Sequence, residues 1–210
     1  PTLTGNGDSI DGSTQPGAQC RDLWAGGAHD LRISIRGNGS FDGLLLSGAN
    51  QTVRGVALTG FSQAINLRPS SNTAALYCNY IGLLPSGVAS ANLQGVVVSG
   101  ASGRIGDLGV GQGNVISGNT EHGILTTQGS TDTSIRNNFI GADPTGAAAR
   151  ANGTGMNHFN GSGSWRDITY NLISGNTGAG IRLETDDSIT PSTDTVRIQR
   201  NRIGFNRTLS

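Results

Sequence analysis

Arg182, Glu184, Asp186 and Asp187 place a guanidinium and three carboxylates within six residues, the densest group of ionisable side chains in the chain. Carboxylates packed this closely can hold Ca²⁺ or divide acid and base roles between them. Asn157 and Phe159 hold the equivalent places in an earlier repeat, Asn157 against Arg182 and Phe159 against Glu184. The six-residue cluster therefore gains an amide and an aromatic ring that can stack on a sugar. The ligand-binding set is then Asn157, Phe159, Arg182 and Glu184. The catalytic candidates are Arg182, Glu184, Asp186 and Asp187. A second reading stays open, because Thr185 to Ser188 ahead of Pro191 also has the composition of a solvated turn.

Other chemistry-bearing residues are scattered. His29, His122 and His158 are far apart in the repeat frame, and His158 falls at a position that points inward. No His-x-x-His or Cys-x-x-Cys spacing occurs, so zinc has no support and no metal is expected. Cys20 and Cys78 can pair in a secreted protein, but two buried, reduced thiols are the expectation.

The elements that would position these side chains come from a repeat. Asn-x-Ile-Gly or Asn-x-Ile-Ser-Gly-Asn occurs five times, beginning at Asn79, Asn114, Asn138, Asn171 and Asn201, with a diverged copy at Val56. An apolar residue lies three positions earlier in most copies: Val53, Leu76, Ile135, Ile168 and Ile198. Short runs such as Gly95-Val96-Val97-Val98 and Gly180-Ile181-Arg182-Leu183 alternate in and out as strands do, and no window carries a helical apolar stripe.

Successive copies are 23, 35, 24, 33 and 30 residues apart, so a winding of about two dozen residues is kept while loops are added near 83–92, 103–113 and 142–152. Similarity from winding to winding argues against hairpins and for a solenoid of about seven coils. In such a stack the asparagines form a column whose amides bond along the axis. Leu58, Ile81, Ile116, Ile140, Ile173 and Ile203 fill the interior beside it. An outward column of Leu45, Val97 and Leu125 would be apolar, which implies a cover.

Asn114-Val115-Ile116-Ser117-Gly118-Asn119, Asn79-Tyr80-Ile81-Gly82 with Pro85-Ser86-Gly87, the run Asn138 to Gly146 and the run Ile10 to Gly17 resemble bacterial right-handed parallel β-helix repeats of the pectin-lyase-like superfamily. The resemblance extends from about Ile10 to Ile203. It implies an all-β, single-stranded, right-handed parallel β-helix with little or no helix. It does not fix an activity, because that superfamily spans polysaccharide lyases, hydrolases, epimerases, phage tailspikes and adhesins. Its lyases use an arginine base with Ca²⁺ held by aspartates, and its hydrolases use paired aspartates near a histidine and an Arg-x-Lys. This chain has no lysine, and none of its arginines sits in a matching motif.

Lys+Arg and Asp+Glu balance at 14 each, which leaves no field for nucleic acid, and no apolar run is long enough to cross a bilayer as a helix. The chain reads as one β-helix domain, 1–210, of a longer bacterial protein with neighbouring domains, secreted or at the cell surface. The expected role is non-catalytic: a structural spacer or carbohydrate-binding surface with no cofactor. The alternative is a polysaccharide lyase or epimerase on acidic polysaccharide, with Ca²⁺.

Overall fold

A computed structural model describes residues 1–127, 129–130, 132–159, 165–184 and 196–207. Three seven-stranded sheets, parallel throughout, wrap around one axis, so each coil contributes one strand to each sheet. The first sheet holds Thr2–Leu3, Leu44–Leu46, Gln63–Leu67, Gln94–Val98, His122–Thr126, Thr154–Phe159 and Ile181–Glu184. The second holds Ser9–Asp11, Thr52–Arg54, Ala74–Tyr77, Gly103–Ile105, Thr133–Arg136, Trp165–Thr169 and Ile198–Gln199. The third holds Ile33–Arg36, Val56–Thr59, Tyr80–Ile81, Val115–Ile116, Phe139–Ile140, Leu172–Ile173 and Arg202–Ile203. Among the described residues the only helical element is one 3₁₀ turn, Gly12–Thr14. This is the expected seven-coil β-helix.

Register follows the sequence repeat. Leu58, Ile81, Ile116, Ile140, Ile173 and Ile203 pair coil to coil on the inside of the third sheet. The core is the column set of Leu, Ile and Val from all three sheets. Each buried aliphatic side chain contributes about 1.5–3 kcal/mol, which in a narrow tube takes the place of aromatic bulk.

The asparagine column is a continuous ladder. Asn79 Nδ2 donates to Asn114 Oδ1 at 3.1 Å, Asn114 to Asn138 at 2.9 Å, Asn138 to Asn171 at 3.1 Å, and Asn171 to Asn201 at 3.0 Å. The second Nδ2 hydrogen goes to the carbonyl of the apolar residue three positions before the equivalent place (Val56 or an asparagine) in the preceding coil: Val53, Leu76, Ile135 and Ile168. Ile105 fills this place for Asn138, because the strand Gly103–Ile105 precedes the excursion that leads to Asn114.

A second ladder was not anticipated as a column: Asn92, Asn119, Asn152 and Asn176 bond in the same way, at 2.9 Å in each step. Asn92 and Asn152 are the last residues of the inserted loops, so each insertion ends on the residue that returns the chain to the stack.

Residues 12–32 form a strap across the outside of the third sheet. Its Leu23, Leu31 and Trp24 cover Ala57, Tyr80, Val115, Phe139 and Leu172, a second apolar cluster separate from the tube interior. Cys20 and Cys78 form a disulfide that ties the strap to this sheet, with Cα atoms 5.6 Å apart. The expectation of two free thiols is thereby corrected. The partners are 58 residues apart in sequence and meet only because the strap folds back over a later coil.

Candidate functional site

Alternation along the first-sheet strands puts Leu45, Asn66, Val97, Leu125, Asn157 and Arg182 in one outward file. The expected apolar column of Leu45, Val97 and Leu125 is therefore interrupted by amides. The floor is nonetheless close-packed, with Val97 2%, Asn66 3% and Asn157 3% exposed. Half-exposed Gln63, Gln94 and His122 line one edge. Arg68, Ser99, Thr127, Phe159 and Glu184 line the other. This closed floor and its more exposed edges run as one band, here called the trough, parallel to the solenoid axis.

The predicted ligand-binding residues are brought together here. Asn157 pairs with Arg182 and Phe159 with Glu184 across adjacent strands. Asn157 Nδ2 donates to Glu184 Oε2 at 2.9 Å, and the Arg182 guanidinium bonds to the other oxygen of the same carboxylate. Phe159 keeps about half of its surface in solvent. Asp186 and Asp187 lie outside the described residues. Arg182 and Glu184 thus form an ion pair on the outer face, next to Asn157.

Asn66, Gln63, Gln94 and Glu121 on this face were not singled out from the sequence, and His122 was read only as one of three scattered histidines. The signal was present, since Asn66 stands in the same Gly/Ala-apolar-x-apolar frame as Asn157. Gln94 Nε2 donates to Glu121 Oε2 at 3.0 Å, and Asn66 Nδ2 donates to Gln63 Oε1.

The other histidines serve the fold. His158 points inward as anticipated and bonds Thr126 Oγ1 through Nδ1 at 2.6 Å, with its pKa lowered by burial. His29 lies in the strap, where Nδ1 accepts from Arg21 N–H at 3.0 Å and Nε2 donates to the Gly113 carbonyl at 2.8 Å. Burial lowers its pKa to about 4, against smaller opposing effects of the Gly113 hydrogen bond and Asp30. Tyr80 stacks on His29 and donates its hydroxyl to the His29 carbonyl at 2.9 Å. Desolvation raises the Tyr80 pKa far above its ordinary value.

Among the described residues no three His, Cys, Asp or Glu side chains converge on one point. A cleft of about 400 Å³ between the strap and the loop after Ile105 is lined by Asp22, Trp24, Leu108, Val110, Asn137 and Tyr170.

The model of the family described as periplasmic copper-binding protein (NosD) matches residues 8–208, nearly the whole chain. The chain belongs to the NosD family. No curated protein and no solved structure matches it. The NosD family is described as periplasmic, which agrees with a location outside the cytoplasm and with the disulfide, since bonded cysteines persist in oxidising compartments. Among the described residues no helix is long and apolar enough to cross a membrane. The right-handed parallel β-helix implied by the sequence is thus the fold of a NosD-family chain.

Proposed function

We propose that this chain is a non-catalytic periplasmic β-helix module whose first-sheet outer face binds carbohydrate. The observation that carries this reading is the outer face itself: Asn66 and Asn157 set among apolar side chains in its central file, Gln63 and Gln94 along one edge, and an exposed ring, Phe159, on the other. Amide-rich floors with an adjacent aromatic suit sugars, which offer hydroxyls on their rims and C–H faces to a ring. The pairing of Arg182 with Glu184 supports this reading, because it balances the charge beside Phe159.

The family description names copper, and the chain's own donors decide whether it fits. Copper sites are built from imidazole, thiolate and thioether ligands. Cys20 and Cys78 are bonded to each other, and Met156 is wholly buried in the tube. Both ring nitrogens of His29 are committed to backbone groups. His122 and His158 stand at opposite ends of their strands, since His122 pairs with Thr154 and His158 with Thr126. These donors do not fit a copper site, so no step of the proposed function runs through the metal.

The test is affinity electrophoresis of the protein in gels containing neutral or acidic polysaccharides, alongside an absorbance assay for unsaturated uronates with and without Ca²⁺. Retardation without product formation is expected. Product formation abolished by Arg182→Ala would replace this reading with a lyase.

A further inference from the structure

Four atoms on the first-sheet outer face lack a hydrogen-bond partner while being closed to water: Asn66 Oδ1, Gln94 Oε1, His122 Nδ1 and Asn157 Oδ1. Two of the amide orientations are dictated by their partners. Gln94 and Asn157 each give an N–H to a carboxylate, Glu121 and Glu184 respectively, and an ionised carboxylate can only accept. Reversing either amide would set oxygen against oxygen. The leftover atom in both is therefore an acceptor. Asn66 bonds Gln63 amide to amide, without a carboxylate to fix the orientation, and with Nδ2 donating it is Asn66 Oδ1 that is left over.

Positive charge on this face is already spent. The Arg182 guanidinium is paired with Glu184, and that of Arg68 lies 3.9 Å from Asp42. The trough thus offers spare acceptors, flanked by the carboxylates of Glu121 and Glu184, and among the described residues of the face no unpaired guanidinium.

We propose that the occupant is an uncharged, hydroxyl-rich glycan laid along the solenoid axis, its O–H groups donating to the orphaned amide oxygens of Asn66, Gln94 and Asn157. This rests on reading the face as carbohydrate-binding and adds the chemical class of the ligand. A buried acceptor without a donor is unfavourable, and a sugar hydroxyl supplies the donor. A uronate carboxylate or a sulfate supplies none and meets Glu121 and Glu184 with like charge. Asn66 and Asn157 are three coil steps apart, about 14 Å at the usual strand spacing, which calls for a run of sugar units and not a single ring. Because these oxygens are closed to water in the free protein, binding requires the half-exposed rim side chains Gln63 and His122 to turn aside.

Isothermal titration calorimetry with cellohexaose, maltohexaose and N-acetylchitohexaose, set against hexagalacturonate and hexamannuronate, tests the class. At least one neutral hexamer is expected to bind about tenfold or more tightly than either uronate. Asn157→Leu and, on the rim, Gln94→Met should each weaken that binding about fivefold or more with an unchanged melting temperature. Tighter binding of the uronates would overturn the class of ligand while leaving a carbohydrate face in place. Neutral binding indifferent to both substitutions would move the site elsewhere and overturn the inference. Absence of binding by every hexamer would remove the carbohydrate face along with it.

Discussion

Asn138 uses its full hydrogen-bonding capacity. Its Nδ2 donates to the Ile105 carbonyl and to Asn171 Oδ1, while its Oδ1 accepts from both the backbone N–H and the Nδ2 of Asn114. All of these atoms are buried, so truncation strands partners on both neighbouring coils. Asn138→Ala is expected to cost on the order of 3 kcal/mol or more, measured by urea unfolding, against a net value of about 1 kcal/mol for one ordinary hydrogen bond. His29 provides the residue-scale dependence on pH. It is neutral in the fold with a pKa of about 4, below its unfolded value of 6.5, so the unfolded chain binds the proton more readily. Its contribution is complete above pH 6.5 and is lost as pH falls from there towards 4, a change on the order of 3 kcal/mol. Melting temperature followed over pH 7 to 4 should drop, and a stably folded His29→Gln protein should flatten that part of the curve.

Among the elements, the strap differs most from the repeat. The outward side chains Tyr80, Val115, Phe139 and Leu172 occupy the x position of the Asn-x-Ile phrase, where a solvent-facing strand would carry polar residues. They are apolar because residues 12–32 lie over them, with Trp24 edge-on to Phe139 at a centroid distance of 5.3 Å. The disulfide keeps that cover in place from a long sequence distance. Cys20→Ser with Cys78→Ser should lower stability by about 4 kcal/mol, the loop-closure value for this separation. The double variant should also bind a hydrophobic dye that the parent protein does not. Equal dye binding by both proteins would show that the strap holds without the covalent tie. Where an insertion follows the third strand, the chain leaves that strand through Gly82 or Gly141, while the intervening coil has Ser117 at that level. A side chain at Gly82 would fall 2.2 Å from the Ser117 carbonyl, so this alternation is steric. Gly141 N–H in turn donates to Ser117 Oγ at 2.9 Å.

Over the whole molecule, stability accumulates coil by coil, because each coil touches chiefly its two neighbours. The face available for a ligand is accordingly long, shallow and repetitive, a shape suited to an extended chain. Histidine, cysteine and methionine are too few and too dispersed to gather around a metal. Titration with Cu(I) or Cu(II) against a competing chelator, followed by metal analysis of the desalted protein, should show no stoichiometric retention. One retained equivalent per chain would contradict the donor assignment.

Much of this was legible in the amino-acid order, because a solenoid writes its register directly into the sequence. Residues that recur at one place in the repeat must stack, so the Asn79 to Asn201 ladder, the isoleucine column and the pairing of Asn157 with Arg182 follow from spacing alone. The second ladder was half legible: Asn92 and Asn152 stand at the ends of variable insertions, where no fixed period marks them. The strap, the Cys20–Cys78 bond and the burial of His29 were decided only by tertiary structure, since residues 12–32 sit outside the repeat and their partners are set by how a single loop folds back. The same holds for the orphaned oxygens of Gln94 and Asn157. Repeat position places a side chain on a face, but which of its atoms is left without a partner depends on neighbours brought from other coils.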